Sequence, residues 1–295
     1  MQQLLAKTYE WQGLTCHYWL AGAGGETPLL FIHPVGVGLS GLFWDRCVGH
    51  WQTLAQNCSF YIPDLLGCGR SSLPHLAYYP EDWAAQLRFF IESEIAQGVV
   101  LVVQGAVLPV ALELVRLAPQ RVRALILSGP PTGSLISQNT RVLWQRLRWR
   151  LFDSPLGWAF YQYARQERFL RRFSVKQLFA KPQAVDRQWL EMLTQGAANL
   201  NTRHAVYSFL AGFWRRDYRP ILQTIAQPVL VVMGDQASSI SRQGTAESPQ
   251  ERLAFYTELL PNAAGVIIPG RNVLPYESTA EFVDVCQQFL IAHSL

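Results

Sequence analysis

The chain has 295 residues, 49% of them hydrophobic and 16% charged, with a formal net charge of +4. That is enough apolar material to bury one large core with an inserted subdomain, and too small a charge excess to argue by itself for nucleic acid or a membrane surface. The five cysteines (Cys16, Cys47, Cys58, Cys68, Cys286) are scattered without a C-x-x-C pair, so they are expected to be reduced thiols of an intracellular protein rather than metal or disulfide ligands.

The first ten residues, Met1 to Glu10, lack a basic flank followed by an apolar stretch, so no export signal is expected. Tyr9 to Leu20 is expected to form an edge hairpin. Short apolar runs bounded by Gly, Pro and Asp then follow as Pro28 to His33, Ser59 to Pro63, Val99 to Val103, Ala124 to Leu127, Pro228 to Met233 and Ala264 to Pro269. Runs this continuous fit strands buried on both faces of a mostly parallel sheet. Helices are expected between them, most clearly from Pro80 to Ala96, with Pro in its first turn, and from Ser248, where Ser can cap and Glu251 can close a capping box. The most apolar stretch, Val99 to Leu117, is broken by Gln104, Pro109, Glu113 and Arg116, and no transmembrane helix is expected. Residues 140–218 show only helical pattern, with starts expected at Ser154-Pro155 and Ser174. They divide the chain into a first sheet segment (1–139), a helical lid (140–218) and a second sheet segment (219–295).

Three motifs carry chemistry. Phe31-Ile-His33-Pro-Val-Gly36-Val-Gly38 closes the first parallel strand. Pro63-Asp64-Leu-Leu-Gly67-Cys-Gly69-Arg70-Ser71 follows the next. Val99 to Val122 runs strand, tight turn and helix to Pro119-Gln-Arg-Val122. Together they resemble the α/β-hydrolase superfamily over nearly the whole chain, which implies a mostly parallel sheet with helices on both faces and a lid.

That resemblance assigns roles by position. The first motif is similar to the loop that supplies an oxyanion amide, here Pro34 and Val35 together with Ala106. In an active member the third motif carries G-x-S-x-G, a strained strand-to-helix turn presenting a serine. This chain reads Val103-Gln104-Gly105-Ala106-Val107, so the nucleophile position is Gly105. The acid position, counted along Pro228-Val-Leu-Val-Val-Met-Gly234-Asp235-Gln236-Ala237, is Ala237, with Asp235 two residues early on a solvent-facing turn. The base position in Pro269-Gly-Arg-Asn-Val273-Leu-Pro275-Tyr-Glu277 is Val273, and no histidine occurs between His204 and His293. Triad members act as a unit, and losing one typically removes about 10⁴ to 10⁶ of the turnover. The resemblance therefore implies a pseudoenzyme that binds a protein partner or a hydrophobic ligand, with no catalytic residue, no cofactor and no metal. The other reading is a hydrolase of a lipid or pigment ester with relocated groups, for which His33, Asp64, Cys68, Ser71 and Ser72 are the candidates. His33 reads as structural, Ser71 and Ser72 as turn caps, and His75 and His204 as lone residues.

The lid carries a second signal. Between Arg141 and Lys176 lie nine basic and two acidic residues, interleaved with aromatic ones. Trp144, Arg146, Arg148, Trp149, Arg150, Arg171 and Arg172 are candidates for contact with a protein partner or an anionic membrane surface. The other reading is a lid with a solvated basic face and a buried aromatic one. No nucleic-acid motif is present. The wording of the three motifs and of Asp153-Ser-Pro-Leu-Gly157 is similar to a cyanobacterial and chloroplast group of α/β-hydrolase-like proteins. This implies a photosynthetic setting, with the protein cytoplasmic or peripheral on the thylakoid, and a lipid or pigment as a ligand under the lid.

Overall fold

In the computed structural model, residues 4–22, 24, 27–54, 58–241, 244 and 247–295 are described. Residues 1–3, part of the segment in which no export signal is expected, lie outside them. Eight strands form one sheet: β1 (Leu5–Trp11), β2 (Leu14–Ala21), β3 (Pro28–Ile32), β4 (Ser59–Pro63), β5 (Val99–Gln104), β6 (Val122–Ser128), β7 (Val229–Gly234) and β8 (Ala263–Ile268). Their order is β1-β2-β4-β3-β5-β6-β7-β8. β2 runs antiparallel to β1 and β4, and every later pair is parallel. The expected hairpin is β1–β2. Gln12 and Gly13 turn it with φ of 53° and 74°, the two positive values of a tight hairpin turn whose twist matches the strands.

Because successive side chains point to opposite faces, each apolar run feeds two cores. Leu30, Ile32, Leu101 and Val103 enter one, beneath α2 (Pro80–Phe90) and α3 (Leu108–Leu117). Leu29, Phe31, Val100 and Val102 enter the other, where helix α1 (Asp45–Leu54) contributes Trp51 and the C-terminal helix (Thr279–Ala292) contributes Phe282 and Phe289. β8 departs from the expectation of a strand buried on both faces. It is the edge strand, with Ala264 and Gly265 exposed, because nothing pairs beyond it.

Between β6 and β7 come α4 (Gly133–Ile136), then α5 (Val142–Phe152), α6 (Pro155–Ala164), α7 (Glu167–Phe173), α8 (Arg187–Gly196), α9 (Arg203–Ala211) and the single turn α10 (Arg219–Leu222). α6 begins at Pro155 as expected, although the Ser154 hydroxyl donates back to the Leu151 carbonyl instead of capping the helix. Ser174 is not a helix start. α7 continues through it into a wider turn, Ser174–Leu178, because its hydroxyl is buried and accepts the Trp189 indole N–H at 2.9 Å. The helix from Pro80 likewise ends in a wider turn, Ile91–Ile95, closed by Ala96 in the left-handed region. After β7, α11 (Pro249–Leu259) opens with the expected capping box between Ser248 and Glu251, followed by α12 (Leu274–Glu277) and α13 (Thr279–Ala292).

The lid is fastened to the sheet by backbone. A Cβ on Gly196 of α8 would lie 2.2 Å from the Gly38 carbonyl oxygen, so two chains approach there more closely than any side chain permits. Among the described residues no helix is long and apolar enough to cross a membrane. None of the five cysteines is bonded to another, and four of them are buried.

Candidate functional site

The segments that leave the C-terminal ends of β3, β5, β6, β7 and β8 converge, as ligand sites of parallel sheets do. Between them and the lid lies a cavity of about 440 Å³. Its floor is Pro34 and Val35 after β3, Gly105 and Ala106 after β5, Gly129 to Thr132 after β6, Ser238 to Ser241 after β7, and Asn272 and Val273 after β8. Its roof is apolar lid: Phe160, Phe169, Phe173, Leu193, Val206 and Phe209. Among the described residues no Asp, Glu, His or Cys lines it.

The tight turn after β5 survives at Gly105, whose φ is +66°, the left-handed region in which a side chain is strained. A Cβ there would meet only the Gly129 carbonyl oxygen, at 3.9 Å, so the turn leaves space for a side chain. Gln104, just before it, donates from Nε2 to the Asn272 carbonyl at 2.7 Å, and its Oε1 is enclosed without a partner. This bond ties the β5 turn to the β8 turn.

Val273, where the base is expected by position, lines the cavity. Its neighbour Asn272 holds the β7 loop: its Oδ1 accepts the Ser238 amide, and its Nδ2 donates to the carbonyls of Ser238 and Gln177. An amide therefore makes the bridge between the two loops that an acid and an imidazole would make in a triad. Ala237 is buried but does not line the cavity. Asp235 lies outside the cavity, where its carboxylate accepts the Gly270 amide at 2.9 Å.

The other candidate groups are committed to structure. His33 is fully enclosed; its Nδ1–H donates to the Pro34 carbonyl and its Nε2 accepts the Leu65 amide at 3.0 Å, so neither nitrogen is free to take a proton. Burial holds its pKa below the ordinary histidine value. Asp64 accepts from the Gly41 amide at 2.7 Å, the Arg70 amide at 2.9 Å and His17 Nδ1 at 3.0 Å, and a Cβ on Gly69 would strike it. The Ser71 hydroxyl donates to the Asp64 carbonyl and accepts the His17 amide, and Ser72 donates to the Thr15 carbonyl. Burial pushes the Cys68 thiol far above its ordinary value, so it carries no thiolate.

Sequence spacing missed one constellation. His75 and His204, 129 positions apart and read as lone residues, stack with ring centroids 4.1 Å apart and planes 14° apart. His75 Nε2 reaches the Asp153 carboxylate at 2.8 Å, and the buried His204 ring has no well-formed hydrogen bond on either nitrogen. The three residues offer ligand atoms within 4.8 Å of one another, the only such group among the described residues. A metal must lie near the plane of each imidazole it binds, and two stacked parallel planes share no such point, so one ring would have to turn. As it stands the cluster pins the α5–α6 corner and α9 to the loop after β4.

In the lid, α5 buries only Gln145. Leu143, Trp144, Leu147 and Leu151 are exposed at 78%, 53%, 55% and 56%, and Leu156 and Trp158 on α6 continue the patch. Arg146, Arg148, Arg150, Arg171 and Arg172 are exposed too, while Trp149 is half-buried against Phe213. The aromatic residues are thus not gathered on a buried face opposite the basic one. Apolar and cationic side chains share the same outer surface.

The comparisons agree with this architecture. A putative alpha/beta hydrolase from Nostoc sp. PCC 7120 superposes with a TM-score of 0.75 at 22% identity, covering 97% of this chain and 98% of that one. A serine hydrolase involved in carbazole degradation gives 0.74 at 17% identity, over 98% and 100% of the two chains. A thermophilic esterase from Thermogutta terrifontis gives 0.72 at 18% identity, over 99% of each. The sequence model described as "Alpha/beta hydrolase family" matches residues 29–285, and this chain belongs to that family.

Proposed function

We propose that the chain is a non-hydrolytic member of its family, which binds an apolar ligand in the cavity beneath its lid and works at an anionic membrane surface. The observation that carries the reading is the composition of that cavity. A volume of about 440 Å³ falls in the range of small-molecule sites, yet its described walls hold no acid, imidazole or thiol. Acyl transfer needs a nucleophile, a base within hydrogen-bond reach and an orienting group, and here the positions expected for them hold Gly105, Val273 and Ala237. The two oxyanion positions, Val35 and Ala106, remain beside them, so a ligand oxygen can still be oriented without being attacked.

The lid supports the membrane half. Exposed leucines and tryptophans beside arginines on α5 and α6 match a surface that dips into the headgroup region of anionic lipid. Its neighbours Phe160 and Leu210 are also cavity wall, so the surface and the cavity adjoin. The resemblance to the cyanobacterial and chloroplast group makes the thylakoid the membrane of interest.

Native mass spectrometry of protein purified from a phototrophic host should show one apolar molecule per chain. Vesicles containing phosphatidylglycerol should sediment the wild type, and Leu143→Glu with Leu147→Glu should abolish this. Turnover of ester substrates by the pure protein, lost on changing His33 or Asp64, would replace this reading with a hydrolase using relocated groups. An empty cavity in the purified protein, with capture of a stoichiometric protein through α5, would replace it with a protein-contact role.

A further inference from the structure

Two cations line the cavity, Arg215 and Arg252, and among the described residues Arg252 has enclosed nitrogens that no hydrogen bond satisfies. Arg252 stands in the first turn of α11 and is only 3% exposed. Its Nε and Nη2 are enclosed without a hydrogen-bond partner, and no carboxylate of the described residues lies within ion-pair distance. The nearby acids are engaged elsewhere. Both Glu247 oxygens accept backbone amides, those of Gly133 and Ser134, each at 2.8 Å. Glu251 closes the capping box with Ser248. The helix itself is no partner, because its N-terminal end is the positive end of the backbone dipole. The Glu247 carboxylate acts on Arg252 through space but makes no contact with it, and an enclosed guanidinium whose nitrogens have no hydrogen-bond partner is disfavoured until an anion meets it.

We propose that the ligand of the cavity is a single-chain amphiphile with a carboxylate head, held on the Arg252 guanidinium, and with its apolar tail beneath the lid. This rests on the ligand-binding reading above and names the chemistry of the bound molecule. The planar guanidinium matches a carboxylate with two parallel N–H bonds once the side chain turns an edge of its fork into the cavity. Thr132, Ser239 and Ser241 line the same end of the cavity and supply hydroxyls to the remaining oxygen lone pairs. Burial pulls the Arg252 pKa below its ordinary value, in keeping with a charge held in an apolar wall. Much of the remaining lining is apolar, Phe160, Phe169, Phe173 and Leu193 among it, and suits a hydrocarbon tail.

The test compares three ligands of one chain length, dodecanoate, dodecanol and dodecyl phosphate. Each displaces a fluorescent fatty-acid probe from wild type, Arg252→Met and Arg252→Lys. The inference expects dodecanoate to bind wild type at least tenfold more tightly than dodecanol. Arg252→Met should erase that preference, so that acid and alcohol bind it equally, and Arg252→Lys, which keeps the charge without the fork, should retain part of it. Equal binding of acid and alcohol by wild type overturns the head-group assignment and leaves the cavity reading standing. Failure of every ligand and of the probe itself overturns the cavity reading. Preference for the phosphate over the carboxylate, lost in Arg252→Met, overturns the carboxylate assignment.

Discussion

Gly105→Ser puts back the one atom whose place the structure has kept open. No steric penalty is expected, because the added Cβ meets nothing closer than 3.9 Å. The backbone supplies the penalty. A non-glycine residue in the left-handed region costs about 1–2 kcal/mol, and reduced freedom of the unfolded chain offsets roughly 0.4–1 of that. The net loss is about 0–1.6 kcal/mol, which should lower Tm by no more than roughly 6 °C in a scanning fluorimetry measurement. The hydroxyl should nonetheless stay inert, because no imidazole or carboxylate of the described residues lines the cavity to deprotonate it. On the proposed non-hydrolytic reading, a deficit of at least about 10⁴ in turnover is expected relative to an active enzyme. The variant should hydrolyse a nitrophenyl ester no faster than wild type and should not react with a fluorophosphonate. A stoichiometric phosphonyl adduct on the introduced hydroxyl would show that a base reaches the turn, and the reasoning from cavity composition would fail.

Asp64→Ala strips the acceptor from the Gly41 and Arg70 amides and from His17 in a site 1% exposed. Leaving those buried donors unpaired should cost about 3–5 kcal/mol, read as a lower urea midpoint with an unchanged slope. Gly196→Ala forces its methyl into the Gly38 carbonyl and should cost about 1–3 kcal/mol, with faster proteolysis in the lid than in the sheet segments. Burial first, then the charges of Arg203 and His75, hold His204 down to about 4, while Asp153 opposes them. The unfolded chain, with an ordinary value of about 6.5, takes up the proton before the folded one, so this group's contribution to stability is intact above that pH and declines as pH falls toward 4. Urea midpoints at pH 7 and pH 5 should differ more for wild type than for His204→Phe; equal differences would remove His204 from the acid response.

Much of this protein is local and therefore written along the chain. Strands buried on both faces need unbroken apolar runs, the capping box at Ser248 needs residues three apart, and the turn at Gly105 needs a residue that tolerates positive φ; each is a short-range requirement, so each was legible. That Gly105 and Val273 would both reach the ends of their strands was legible for the same reason, and the structure places both on the cavity wall. Contacts across the chain were not. Asn272 could be recognised as the residue bridging the β7 and β8 loops only once both loops had coordinates. The pairing of His75 with His204 joins segments whose patterns are independent, and spacing carries no signal of it. Whether Ser174 starts a helix depended on Trp189, which takes its hydroxyl from another lid helix. Arg252 reads in sequence as an ordinary first-turn residue of an exposed helix. Only packing seals it into the cavity wall with two nitrogens unpartnered, because burial is a property of what the remaining elements place around a side chain.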